Sequence, residues 1–280
     1  MEAHLIQGSE AWKNIRKQYV TATDAAVILG LSPWKTPYKL WRQKMDLDPP
    51  DEETEKMREG SRLEDHARKW FFEAYGILFT PKVVFKDFMM ASLDGMTDDD
   101  ECIIEIKCGQ KSFEQAKQGI IPEYYRIQMQ HQMYCSGLNE MTYLAFNGEV
   151  VITLTVELDR EFVYEMIPKL REFYQCLISF THPTMTMRDY HQRSDPEWNN
   201  LVESYRNASQ DLKRVEQLEQ DLRKELISLA GEQSTMGNGI KLSKVAKKGV
   251  IDYTKIPQLK GLNLEEYRKP SSEYWRVILD

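Results

Sequence analysis

Cysteine is scarce in this sequence, long apolar runs are absent, and positive charge is not in surplus; each shortage removes a class of protein. Only four cysteines occur among 280 residues, at Cys102, Cys108, Cys135 and Cys176. No two form a C-x-x-C pair, which argues against a zinc ribbon and against a disulfide framework. An iron–sulfur cluster is disfavoured too, because it needs clustered thiolates. No stretch of eighteen apolar residues occurs, and Met1-Glu2-Ala3-His4 lacks the basic-then-apolar layout of a signal peptide. A cytosolic protein with reduced thiols and no membrane partner is the expectation. The five histidines, His4, His66, His131, His182 and His191, show no metal-ligand spacing.

The formal net charge is −7, whereas a polyanionic partner favours a basic surface. The total is a poor guide to the local field, however. An enzyme that cuts DNA needs acidic metal ligands and can confine its lysines and arginines to one channel. With 41% apolar residues, the chain can bury one core of roughly 180 to 200 residues and carry an appendage.

From Trp12 to about Phe180 the pattern mixes helix and strand without repeats. Thr21 to Leu29 reads as a short helix, with capping candidates at Thr21, Thr23 and Asp24 and a stop at Gly30. Asp46 to Glu55 reads as an exposed loop. Gly60 then precedes an amphipathic helix, on which Leu63, Ala67, Trp70, Phe71 and Ala74 recur at helical spacing up to Gly76. Two strands are predicted over Phe85 to Asp94 and Cys102 to Lys107, joined by the acidic turn Asp98-Asp99-Asp100-Glu101. A helix is predicted from Pro122 to Cys135, and a hairpin around Asn147-Gly148 between Tyr143–Phe146 and Val150–Val156. A helix from Asp159 to Phe180, bent at Pro168, closes the core.

The predicted domains are therefore a core over residues 1–183 and an appendage over 184–280. In the appendage Trp198, Leu201, Tyr205, Ala208, Leu212, Val215, Leu222, Leu226 and Leu229 follow alternating steps of three and four, broken only by Glu219. That is a heptad seam over about 198–230, suited to packing on its own domain, on another subunit or on a partner protein. A strand-containing tail is expected over 237–280. Its lysines Lys241, Lys244, Lys247 and Lys248 form either a solvated basic edge or a contact for a phosphate backbone. Tyr190, Trp198 and Trp275 could stack on bases, although isolated aromatics more often fill cores.

The chemistry concentrates in Ser92-Leu93-Asp94-Gly95 and Glu105-Ile106-Lys107. Alternate residues of a strand share a face, so Glu105 and Lys107 project together while Ile104 and Ile106 point into the core. If the acidic turn closes a hairpin, Asp94 approaches Glu105, and two carboxylates so placed call for a cation between them. Oxygen donors of this kind suit Mg2+ or Mn2+ better than zinc. Such ions polarise a phosphoryl oxygen and lower the pKa of an attacking water, and a pair about 3.5–4 Å apart also stabilises the leaving oxygen. Lys107 can orient that water or neutralise developing charge. Taken singly, an Asp-Gly turn or a surface Glu-x-Lys pair is more often part of a solvated strand; it is their order and spacing that point to a metal site. Glu64 shares an inward helix face with Ala67 and Phe71, as a ligand or as the edge of that face. Gln128, on the later helix, can hold a water or a phosphate through its amide.

Gly60-x-x-x-Glu64-x-x-Ala67, Ser92-x-Asp94-Gly95, Glu105-Ile106-Lys107 and Gln128-x-Gln130 follow one another in this order. In this the stretch from Trp12 to Phe180 resembles the lambda exonuclease and YqaJ-like family of viral recombinases. The resemblance implies an α/β (α+β) PD-(D/E)XK nuclease core, a mixed central sheet flanked by helices. It implies Asp94, Glu105 and the Ile106 carbonyl as metal ligands, Lys107 as catalytic lysine, Glu64 near a second ion and Gln128 beside the site. Trp12-x-x-x-Arg16 and Thr21-Ala22-Thr23 are similar to the family's end-binding elements, with Arg16, Thr23 and Ser92 expected to grip a 5′-phosphate. A guanidinium fork and helix N-terminal donors suit that anion; Thr23 keeps the family serine's hydroxyl but adds a methyl. The resemblance further implies digestion of linear duplex DNA from its ends inside a bacterial host cell, a homo-oligomer (usually a trimer) and a phage single-strand annealing protein as partner. A structure-selective endonuclease on the same fold and a noncatalytic DNA-binding or adaptor protein are the competing expectations.

Overall fold

In a computed structural model the chain is described over residues 5–243 apart from residue 53, together with 245, 249, 256 and 257. Lys244, Lys247, Lys248 and Trp275 lie outside the described residues. Two compact units are present, Met1–His191 and Gln192–Asp280. The first runs on past Pro183 because Arg188 donates to the carbonyls of Ser32 (3.1 Å) and Pro33 (2.9 Å), and Asp189 accepts from Thr36.

The first unit is a six-stranded mixed sheet with helices on both faces. Its strands are β1 (Val20–Thr21), β2 (Thr80–Lys86), β3 (Met89–Met96), β4 (Ile103–Cys108), β5 (Glu140–Phe146) and β6 (Val151–Glu157). Its helices are α1 (Glu10–Gln18), α2 (Ala22–Ile28), α3 (Pro37–Lys44), α4 (Glu55–Tyr75), α5 (Gln110–Lys117), α6 (Glu123–Ser136) and α7 (Arg160–Ile178). Side chains alternate along the strands as a period of two requires. Ile104, Ile106, Leu144 and Phe146 pack with Ala67 and Phe71 of α4. Met89, Leu93, Ile103 and Tyr143 join Ala25 of α2, Met129 and Met133 of α6 and Leu170 of α7. Each large aliphatic side chain so buried stabilises the fold by about 1.5–3 kcal/mol, before the entropy of ordering it is counted.

The topology around β3 prepares the site. β2 pairs with β3 along its length, from Lys86↔Met89 to Thr80↔Met96. The opposite edge of β3 is shared, because β1 pairs at Met89 and Met90 and β4 at Gly95 and Met96. No strand pairing is made on that edge by residues 91–94, so the backbone there is open to side chains. Gly95 is fixed by packing, since a Cβ at that position would meet Phe79 Cβ at 2.6 Å and Ile104 Cγ1 at 2.9 Å.

Two expectations differ from the structure. Phe85 to Asp94 is not one strand: Phe85 belongs to β2, and the chain reverses at Asp87, whose φ of 52° is in the left-handed region that aspartate tolerates. The amphipathic helix begins at Glu55, so Gly60 lies inside α4 rather than before it. The alternative of a solvated turn and a surface pair does not hold either, since Asp94-Gly95 lies within β3 and Glu105 is wholly buried. The second unit contains α8 (Pro196–Ala230), capped by the Asp195 carboxylate, and a hairpin of β7 (Thr235–Gly237) and β8 (Ile240–Leu242). None of its described residues is buried.

Candidate active site

Glu105 has 0% of its surface exposed and every oxygen engaged. Its Oε1 accepts from Gln128 Nε2 at 2.6 Å and pairs with the Lys107 ammonium; its Oε2 accepts from Gln132 Nε2 at 2.6 Å. The two glutamines stand four residues apart on α6, so both face β4. Lys107 also lies over the Tyr125 ring, 4.6 Å from its centroid. Burial pulls the Lys107 pKa down, but the charges of Glu105 and Asp94 outweigh it and hold the ammonium above the ordinary lysine range.

Asp94 reaches this cluster from β3. Its Oδ2 accepts from Ile106 N at 2.8 Å, and Arg68 of α4 donates to its carbonyl at 2.7 Å. In a strand the N–H and C=O of one residue leave by the same edge, so the Ile106 carbonyl also faces Asp94. Burial, then the neighbouring charge of Glu105, pushes the Asp94 carboxyl well above the usual carboxylate range, with Glu64 adding to the push. Glu64 is half-buried and raised as well, mainly by burial, with Lys107 and Arg68 opposing. Glu64, Asp94, Glu105 and Lys107 thus feel one another's charge. Among the described residues no group of three or more His, Cys, Asp or Glu side chains forms a ready-made metal cage.

A second cluster adjoins the first through Ser92, which shares a face of β3 with Asp94. Trp12 Nε1 donates to Ser92 Oγ at 2.9 Å, Arg16 stacks 4.3 Å over the Trp12 ring, and Arg16 donates to Thr23 Oγ1 at 3.1 Å. The Thr21 and Thr23 hydroxyls are 3.2 Å apart. Beneath them Asp24 accepts from Thr21 N at 2.8 Å and pairs with Lys44 at 2.8 Å. Burial alone would raise Asp24, but Lys44, Arg16 and these hydrogen bonds together hold it below its ordinary value.

All nine residues singled out from the sequence therefore fall into these two linked clusters. Gln132, Arg68, Asp24 and Lys44 were missed. The i, i+4 repeat of Gln128 and Gln132 was a readable signal for the first of these. Gln130, between them, turns elsewhere: it donates to Glu157 O and accepts from Asp159 N, both at 2.8 Å.

Residues 11–139 match the YqaJ-like viral recombinase domain. That stretch contains every residue of both clusters. An uncharacterised protein of Bacillus subtilis (strain 168), YqaJ, is 32% identical over 138 residues, which is 46% of this chain and 42% of that relative. The chain thus matches less than half the length of that curated relative. The crystal structure of an alkaline exonuclease from Laribacter hongkongensis, LHK-Exo, gives a TM-score of 0.54 at 25% identity, over 61% of this chain and 94% of that one. The same exonuclease in complex with dAMP gives 0.54 at 24% identity, with the same coverage. The mixed sheet and its flanking helices are accordingly an exonuclease-like fold. Among the described residues no helix is long and apolar enough to cross a membrane.

Proposed function

We propose that this protein is a divalent-metal-dependent deoxyribonuclease that digests linear duplex DNA 5′ to 3′ from a 5′-phosphorylated end, leaving single strands for recombination by annealing. One observation carries the reading: Asp94, Glu105 and Lys107 come together where β3 and β4 part inside the sheet, and Ser92 joins them to Arg16 and Thr23. The likeness to LHK-Exo, which has been solved with dAMP, supports nucleic acid as the substrate.

The donor set fits magnesium or manganese. Two carboxylates, with the charge of Glu105 helping to raise the Asp94 carboxyl, stand beside a backbone carbonyl and offer only oxygen; magnesium commonly takes one or two carboxylates and keeps several waters. Asp94, Glu105 and the Ile106 carbonyl would hold such an ion, with Glu64 toward a second. When bound, the metal supplies charge for the phosphoryl oxygens and a more acidic water. The rest is done by the chain. Lys107 neutralises charge developing on the phosphate. Gln128 and Gln132 keep Glu105 in one orientation, while Arg16, with its planar fork, and the Thr23 and Ser92 hydroxyls seat the terminal phosphate. A ring of subunits, three by family likeness, and an annealing protein that takes the product strand complete the reading.

The test is a digestion time course on end-labelled linear and covalently closed circular DNA, with magnesium and with chelator. Linear duplex should be lost only with metal, and circles should survive. Glu105→Ala and Lys107→Ala should each lower the rate by 10³-fold or more, on the order of 4 kcal/mol of barrier, with circular dichroism unchanged. Full activity in either folded variant overturns the assignment, and cut circles would favour a structure-selective endonuclease.

A further inference from the structure

Gln132 is 0% exposed, and its one amide nitrogen serves both clusters. Nε2 donates to Glu105 Oε2 at 2.6 Å and to the Ser92 carbonyl at 3.1 Å. Its Oε1 is buried with no hydrogen-bond partner among the described residues. A buried amide oxygen left unpaired costs stability. Turning the amide over would satisfy nothing, because it would aim that oxygen at the Glu105 carboxylate and at the Ser92 carbonyl. A methionine or leucine would fill the space without the penalty. The two bonds from Nε2 are therefore what this side chain contributes.

Those bonds close a continuous path. Glu105 is held to Ser92 through Gln132, Ser92 to Trp12 through its hydroxyl, Trp12 to Arg16 by stacking, and Arg16 to Thr23 by a hydrogen bond. The route through Gln132 leaves from the edge of β3 that pairs with neither β1 nor β4 at residues 91–94, where the Ser92 carbonyl accepts from a side chain.

We propose that Gln132 is a positioning residue that couples the seating of the DNA end at Arg16, Thr23 and Ser92 to the orientation of Glu105. This rests on the nuclease reading above. A terminal phosphate that draws on Ser92 then also sets the Glu105 carboxylate, so the phosphate accelerates the first cut beyond what its binding alone provides. The neighbouring Gln128 has no such reach, since its amide donates to Glu105 Oε1 only.

The experiment uses the full chain and duplexes that differ only in a 5′-phosphate or 5′-hydroxyl end. Binding is read by anisotropy in chelator, and single-turnover first-cut rates are read with magnesium. In the parent, the phosphate should improve both binding and rate. Gln132→Met, which keeps length and loses the amide, should keep the binding preference within about twofold. Its phosphate-dependent rate advantage should fall by about tenfold, as expected when bonds to a charged group are removed from the activated state only. Leu170→Ala, a core truncation in α7, a helix that supplies no residue to either cluster, controls for stability. Should the methionine variant not fold, Gln132→Asn, which keeps an amide that cannot reach both partners, carries the same expectation. An unchanged rate advantage in the folded Gln132 variant overturns the coupling, and so does an equal loss in Leu170→Ala. Loss of the binding preference itself would also overturn it, making Gln132 a wall of the end pocket. A parent that leaves linear duplex intact sinks the nuclease reading first and takes this coupling with it, before any variant is compared.

Discussion

Lys44 sets its ammonium where three oxygens meet, the carbonyls of Arg16 at 2.7 Å and Tyr19 at 2.8 Å and the Asp24 carboxylate at 2.8 Å. An ammonium has three donors, and all are used. Lys44→Met keeps the stem but leaves Asp24 buried with only the more distant charge of Arg16 to answer it. Breaking a buried pair in this way costs about 3–5 kcal/mol. The urea midpoint should fall accordingly, and Asp24→Asn added to Lys44→Met should restore part of the loss; an unmoved midpoint in the single variant would contradict the pairing. Neither residue was legible as a partner, because twenty positions of chain separate them and only the packing of α3 on α2 brings them together. Asp94, Glu105 and Lys107 were legible for the opposite reason. Their chemistry is uncommon for a strand, and a two-residue period fixes their faces without knowledge of the rest of the fold.

At the scale of elements, β4, the hairpin β5–β6 and α6 could be read because each has a strong local cause. Ile103, Ile104 and Ile106 are β-branched, Asn147-Gly148 makes the turn, and Gly137 ends α6 in the left-handed region with φ 82°. α1 went unread because it is nine residues long, buries none of them and has only Ala11, Trp12 and Ile15 as apolar residues, too few to mark a helix boundary. α5 is eight residues long and buries only Phe113 and Ala116. The start of α4 was misread because Gly60 looked like a boundary. In the helix it is a local weakness: a Cβ there would meet nothing within 4 Å, and its φ is not positive. Gly60→Ala should therefore raise stability by about 0.5–1 kcal/mol, chiefly by restricting the unfolded chain. A urea melt checks this. A destabilised variant would mean that the backbone at Gly60 is not helical in solution.

For the whole molecule, the two units differ in what holds them. Both hydrophobic clusters lie in the first unit, on either side of its sheet. The second has a helix of 35 residues, α8, with none of them buried. Along its heptad seam Leu201 is 65% exposed, Leu212 59%, Val215 61% and Leu229 86%. Helices in proteins draw most of their stability from a buried face, since nucleation is costly and propagation in water only marginal. Urea should therefore remove the ellipticity of α8 at a lower concentration than it unfolds the sheet. Because Trp12, Trp34, Trp41 and Trp70 all lie in the first unit, their fluorescence reports on that unit alone when Trp198 and Trp275 are replaced by phenylalanine. Two separated midpoints, one by ellipticity and a later one by fluorescence, are the expected result. Coincident midpoints would mean that the seam is covered in solution, and repeating the melt over a hundredfold range of protein concentration says by what. A midpoint that climbs with concentration places the cover on another chain by mass action, whereas one that stays fixed places it within the same chain.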